Sequence, residues 1–360
     1  MRIFRTIERY IRRATLALLH SKARSKSSLI SLEMILSRDS NLRILLVRID
    51  RIGDALISTP VIQQLRERFP ESQIDILLGQ KNQAISKLLP EVNTDYVLSR
   101  IPLAWFSLLR KLRSNRYDIV CNLHLKPSGS ADLVSALVGR DYLIDRNSSG
   151  EDIVHEANLH VVEQTSLLLK PLGIQPILQK NEMAHRLNIA ISRRHPLSTQ
   201  TNTPVVALNV SVAGGLRQWP ENFYVQLAEK LKRLHLTPLI IGAPFDKELI
   251  DHIASRAFVQ ALQPVSNLTS FAEALLPIDI IVTPDTSIVH LGAALRKSVV
   301  ALYKSEVAGN TWRPWGTTYR SIINTGGMEK ITPDDVLQAI KELIPVHSAT
   351  SQVSFYGGKQ

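Results

Sequence analysis

Cysteine is almost absent: the 360 residues contain one, Cys121, which excludes an internal disulfide and a Cys-rich metal site. A single thiol suits a reducing compartment. No uninterrupted run of about 20 apolar residues occurs, so no stretch reads as a bilayer-spanning helix. Arginines break every apolar stretch near the N-terminus that has the length of a secretory signal core. The first strand-to-helix turn, Asp50-Arg51-Ile52-Gly53-Asp54, lacks G-x-G-x-x-G, which disfavours a nicotinamide-linked oxidoreductase. No Asp-x-Asp lies at a strand end, and Asp334-Asp335 falls at the start of the terminal helix. No metal site is therefore expected, and no cofactor.

What is present reads as an ordinary globular chain, 44% hydrophobic and 21% charged. Its net charge of +11 is uneven: residues 1–40 hold nine basic and three acidic side chains, leaving +5 for the other 320 residues. That remainder is too small to call for nucleic acid, whereas a basic balance suits anionic lipid headgroups or a phosphorylated substrate. Within 1–40, Ile3, Phe4, Ile7, Ile11, Ala14 and Leu18 recur at spacings of three and four, an apolar helical stripe beside arginines. Such a helix either docks on the protein's own surface or adsorbs to a membrane surface, and the sequence leaves both open.

From Leu42 onward, short apolar strands alternate with amphipathic helices, the signature of parallel sheets covered on both faces. Strands are expected at Arg43–Val47, Gln73–Leu78, Tyr96–Leu98 and Tyr117–Asn122. A helix is expected from Ala55 to about Arg68, with others at about 102–114, 129–138 and 157–171. The Ser/Thr/Pro-rich stretch 191–204 reads as a linker, after which the alternation restarts with strands at Val205–Val210, Leu239–Ile241, Phe258–Leu262, Asp279–Val282 and Val299–Leu302. A helix at about 286–296 joins the last two. Since one core rarely exceeds about 250–300 residues, two doubly wound α/β domains are expected, over 41–190 and 205–345, with a frayed tail at 346–360. Their ligands belong at the carboxyl ends of the strands.

Four motifs then appear in order. Arg48 to Asp54, followed by Ser58-Thr59-Pro60, resembles the first motif of glycosyltransferase family 9, which includes the ADP-heptose:lipopolysaccharide heptosyltransferases. Arg217-Gln218-Trp219-Pro220 is similar to that family's basic-x-Trp-Pro loop. Pro284-Asp285-Thr286-Ser287-Ile288-Val289-His290-Leu291 resembles its Asp-Thr-Gly-x-x-His-Leu segment, with Ser287 in place of Gly. Trp312-Arg313-Pro314-Trp315-Gly316 resembles its Trp-Gly-rich loop. The resemblance spans about 42–325 and implies two Rossmann-like domains facing a cleft (the GT-B arrangement) and an inverting single displacement. It further implies a nucleotide-sugar donor such as ADP-heptose and a lipid-linked lipopolysaccharide or lipooligosaccharide core acceptor. Such an enzyme would sit peripherally on the cytoplasmic face of an inner membrane. A catalytically silent binding homologue is the alternative; the presence of Asp54 and Arg217 argues against it.

Glycosyl transfer needs a base, stabilisation of the departing diphosphate, and shielding from water. The resemblance makes Asp54 the base, while its position equally allows an N-cap for a helix starting at Ala55. Arg217 can fork onto phosphate oxygens or be a surface arginine beside Trp219. Asp285 is the donor-sugar contact by resemblance, or a simple helix cap. Thr286 and Ser287 would present helix N-terminal N–H groups to the diphosphate. His290, one turn further on, either contacts donor or packs. Gly242, after its strand, permits close approach of a nucleotide. On the acceptor side His124, Lys126, Arg140 and Arg146 are basic and loop-adjacent, and ordinary solvated charge accounts for each equally well. Trp312 and Trp315 either stack on sugar or base, or fill core.

Overall fold

In the computed structural model, the described residues are 29–37, 41–99, 101–138, 140–148, 159–177, 203–212, 214–265 and 267–344, with 185, 187 and 189. The apolar stripe of 3–18, the linker 191–204 except its last two residues, and the tail 346–360 lie outside them.

Eleven strands among the described residues form two all-parallel sheets. The first contains β1 (Arg43–Arg48), β2 (Gln73–Gly79), β3 (Thr94–Leu98), β4 (Tyr117–Asn122) and β5 (Arg140–Ile144), in the order β3-β2-β1-β4-β5. The second contains β6 (Val205–Asn209), β7 (Thr237–Ile241), β8 (Gln260–Ala261), β9 (Ile280–Pro284), β10 (Ser298–Tyr303) and β11 (Tyr319–Ile323), in the order β11-β10-β9-β6-β7-β8. Each order reverses direction beside its first strand, as in a Rossmann fold, so each sheet has a switch point: β1/β4 in the first, β6/β9 in the second. Central strands are apolar on both faces because helices cover both sides: Ile44 to Val47 in β1 and all of β6 and β9 are buried.

The helices are α1 (Leu29–Leu36), α2 (Ile52–Ile57), α3 (Thr59–Arg68), α4 (Pro102–Ser114), α5 (Gly129–Leu137) and α6 (Val161–Leu167) on the first side. On the second lie α7 (Glu221–Arg233), α8 (Lys247–Ala257), α9 (Leu268–Ala274), α10 (Ser287–Ala294), α11 (Glu306–Thr311) and α12 (Pro333–Leu343). Side-chain caps begin α6, α9, α10, α11 and α12. Thr332 and Asp335 close a capping box at α12 with Pro333 in its first turn.

Several elements differ from expectation. The helix predicted to begin at Ala55 is two helices: α2 begins at Ile52, and the chain breaks at Ser58, where Ser58 Oγ donates to the Asp54 carbonyl (2.9 Å) and Thr59 Oγ1 to that of Leu56 (2.8 Å). Hydroxyls that bond carbonyls of the preceding turn compete with helix continuation. Phe258 is not in a strand; it caps α8 at φ 52°, leaving β8 only two residues. Strands β5 and β11 were not anticipated, for both are short and mixed in polarity.

Each sheet has an apolar cluster of its own (Leu45, Val47 and Val120 in the first; Val206, Leu208 and Val282 in the second), and the two also share one. One apolar cluster runs from Ile44, Leu56 and Leu123 on the first side to Ala207, Ile281 and Leu291 on the second. At the seam α2 lies against α10 with Gly53 between them: a methyl at Gly53 would stand 3.1 Å from His290 Cδ2. Elsewhere on the seam His160 caps α6 and bonds the Arg313 carbonyl (2.8 Å), while its ring stacks on Trp315 at 4.6 Å.

Candidate active site

Two cavities open at the carboxyl ends of the sheets. The larger, about 1060 Å³, is walled by the ends of β1 to β4 (Arg48, Gly79, Leu98, His124) and by Val307 and Trp312 from the second side. The smaller, about 680 Å³, is walled by Asn209 at the end of β6, Gly242 after β7 and Asp285 to Ser287 after β9, together with Gly53. Arg51, Asp54, Lys81 and Trp312 line both. Asp54 therefore stands where the two spaces meet, and both switch points feed the same cleft.

Asp54 is not the N-cap; Arg51 is. Asp54 stands three residues into α2, in its first turn. Burial raises its pKa above the ordinary carboxylate range, and the charge of Asp50 raises it further. The positive charge of Arg48 pulls it down.

Asp50 was inside the quoted motif, but nothing local marked it. It is half-buried, 3.6 Å from Arg48 Nη1 and 3.5 Å from His124 Nδ1, with its Oδ1 buried and lacking a hydrogen-bond partner. Burial raises its pKa too, against the pull of Arg48. The Ile49 N–H donates to His124 Nε2 (3.1 Å), so the ring proton is on Nδ1, facing Asp50. Desolvation, then the neighbouring Arg48 charge, push the His124 pKa down to about 4. His124 is thus a neutral hydrogen-bonding group at neutral pH and brings no positive charge to the cavity.

The other basic candidates on this side separate. Lys126 is exposed and lines the larger cavity. Arg146 is bound by both carboxylate oxygens of Asp132 (2.9 and 3.3 Å), which Asn122 also bonds. Arg140 pairs in register with Tyr117 at the amino-terminal end of the sheet, the far end from the cleft.

The second-side candidates come together in the smaller cavity. Arg217 Nη1 donates to the Asp285 carbonyl (2.7 Å) and meets its carboxylate at 3.3 Å, a pairing that spacing alone did not suggest. Asp285 does not cap α10. Thr286 does, its Oγ1 accepting from the Ile288 N–H (3.2 Å), with Thr283 and Asn209 behind it. Ser287 opens the helix. His290 lines the cavity from the next turn, is buried against Trp312, and has its pKa pushed down to about 3 by desolvation. Gly242 also lines it, but a side chain there would meet Ser211 Oγ at 2.5 Å and Ile250 Cδ1 at 2.9 Å. The glycine is required by protein packing as well as by the cavity wall. The two tryptophans of the last motif divide: Trp315 is buried on His160, while Trp312 faces both cavities. Among the described residues no cluster of three or more His, Cys, Asp or Glu could hold a metal ion.

The family model of glycosyltransferase family 9 (heptosyltransferase) matches residues 105–339. The chain belongs to that family. It is 25% identical to lipopolysaccharide heptosyltransferase 3 of Escherichia coli strain K12 over 334 residues, covering 81% of this chain and 95% of the relative. It superposes on E. coli ADP-heptose lipopolysaccharide heptosyltransferase II with a TM-score of 0.66 at 20% identity, over 84% and 98% of the two chains. The iron-containing dodecameric glycosyltransferase TibC of enterotoxigenic E. coli gives a TM-score of 0.55 at 14% identity, over 84% and 76%. The fold is therefore the two-domain GT-B arrangement, and the chain is a glycosyltransferase of the heptosyltransferase family.

Proposed function

We propose that this glycosyltransferase moves heptose from ADP-heptose to a lipopolysaccharide or lipooligosaccharide core acceptor, working peripherally at the cytoplasmic face of an inner membrane. The observation that carries the reading is the position of Asp54, one carboxylate shared by two cavities. A transfer enzyme needs that geometry: acceptor on one side of the base, donor on the other. The relatives named for lipopolysaccharide and ADP-heptose support these substrate classes. No described helix is long and apolar enough to cross a membrane, which agrees with a peripheral location.

In this reading the acceptor occupies the larger cavity, beside His124 and Lys126, and ADP-heptose the smaller. Asp54 accepts the proton of the attacking hydroxyl as its oxygen closes on the anomeric carbon and the bond from that carbon to the diphosphate oxygen breaks. The configuration inverts. The pKa elevation makes the Asp54 carboxylate a stronger base than an exposed one. Arg217, oriented by Asp285, and the amino-terminal end of α10 at Thr286 and Ser287 face the leaving ADP. His290 and Gly242 complete the donor wall. These groups offset the diphosphate charge without a metal ion.

The test is transfer itself: purified protein, ADP-heptose and a heptose-less core acceptor, with ADP release and acceptor mass gain both measured. Turnover of another nucleotide sugar in preference to ADP-heptose would reassign the donor. Arg217→Ala should weaken ADP binding by about 1.5–3 kcal/mol in calorimetry, the range for a bond to a charged group. A chelator should leave turnover intact; a strict divalent-metal requirement would overturn the metal-free step.

A further inference from the structure

Helix α4 presents two unlike faces. Trp105, Leu108, Leu109 and Leu112, spaced as one helical stripe, pack inward on the cluster around Tyr96 and Val120. The opposite stripe begins apolar and ends cationic. Leu103 and Phe106 are 81% and 75% exposed, Ile101 just before the helix is 64% exposed, and Arg110 and Arg113 follow on the same side, exposed. No acidic residue occurs in 102–114. Exposed large apolar side chains gathered on one turn are unusual for a surface helix that contacts only water.

Their place matters. Phe106 and Trp105 line the larger cavity, and across its mouth Val307, 65% exposed, lines it from α11. Both lips of one opening therefore carry uncovered apolar side chains, and the cations lie behind the apolar turn on α4.

We infer that the Ile101–Leu103–Phe106 turn of α4, with Arg110 and Arg113, is a docking surface for an anionic lipid bilayer, seated so that the larger cavity opens onto the membrane. The inference rests on the reading of a lipid-linked acceptor in that cavity. Apolar side chains would enter the headgroup–acyl boundary and the arginines would meet lipid phosphates, the division of labour of an interfacial amphipathic helix. An acceptor anchored by its lipid then presents its sugar to Asp54 without leaving the membrane.

The test exploits the single thiol. Cys121 is buried, so a Leu103→Cys variant can be labelled there with an environment-sensitive dye, and Phe258→Cys provides a control. Phe258 is 88% exposed at the end of α8, away from the strand ends that form the cleft. Vesicles of phosphatidylethanolamine and phosphatidylglycerol should blue-shift the dye at 103 and leave it unchanged at 258; phosphatidylcholine vesicles should shift neither. Co-sedimentation without a shift at 103 would overturn the proposal, because another face then binds. A shift on concentrating the protein alone would overturn it in favour of self-association, and equal shifts at both positions would leave no specific surface.

The Ile101→Ser/Leu103→Ser double variant supplies the functional arm. It should match the parent on a soluble acceptor fragment and fall several-fold on acceptor embedded in the same vesicles. Equal loss on both would make the turn structural. Failure of the parent on every acceptor would instead count against the proposed transfer reaction, while the dye result still decides the docking surface.

Discussion

Asp54→Asn separates chemistry from architecture at one residue. Asparagine keeps the size and shape of aspartate in the first turn of α2, so the melting temperature should change little. The proton acceptor is gone, and turnover should fall by about 10²–10⁴. ADP affinity should hardly move if, as proposed, the diphosphate faces Arg217. Turnover within threefold of the parent, in stable protein, would remove Asp54 from the mechanism. Asp50 makes a second expectation at this scale. Its negative charge raises the Asp54 pKa, so Asp50→Asn should move the acid limb of kcat/KM to lower pH. The sign follows from the base having to be ionised: activity is present above its pKa and lost as pH falls through it. An unmoved limb would show that the two carboxylates do not feel one another.

At the scale of elements, alternation of apolar strands and helices marked most of both sheets, because central strands buried on both faces leave a strong local signal. It failed where that cause is absent. Strand β11 has no buried residue and β8 only two residues, so neither forms an apolar run. The α2–α3 break at Ser58 depends on hydroxyl-to-carbonyl bonds that hydrophobic periodicity does not register. Gly242 illustrates the opposite case: one residue whose identity is set by three elements. Gly242→Ala would press a methyl into Ser211 Oγ, which holds the Ala243 N–H at 2.7 Å, and into Ile250 of α8. Such overpacking should cost about 1–3 kcal/mol, read as a lowered denaturation midpoint in urea. An unchanged midpoint would mean that β7 and α8 part more easily than their packing indicates.

For the whole molecule, the seam between the two sheets is rich in buried histidine. His160 accepts the Val162 N–H at Nδ1 and donates Nε2–H to the Arg313 carbonyl, an arrangement only the neutral ring satisfies. His185 bonds Thr59 Oγ1 (2.7 Å), and His290 packs against α2 at Gly53. Desolvation pushes the pKa of His185 to about 4 and of His290 to about 3, and that of His160 well down. Below the unfolded value of about 6.5 the unfolded chain binds protons that these buried rings refuse. Stability should therefore be full above pH 6.5 and fall as pH drops from there towards 4, by up to about 1.4 kcal/mol per unit for each histidine. Thermal scans between pH 7 and pH 4.5 check this. A flat melting temperature would mean that the seam admits water and protons freely.

Local sequence by itself determined two sheets of buried parallel strands, the position of each candidate-site loop at a strand's carboxyl end, and the family to which four short motifs pointed. These follow from patterns a few residues long. The tertiary structure alone decided where each charge sits and what orients it. Arg146 is engaged by Asp132, Arg140 lies at the far end of its sheet, and Arg217 is held by Asp285 from 68 residues away. It also decided that His124 is neutral and that Asp50 and Asp54 act on one another, since burial and Coulomb interaction depend on distance in space and not along the chain. The apolar turn of α4 belongs to the same class. Leu103 and Leu109 are identical in sequence terms, and only the packed fold leaves one of them uncovered.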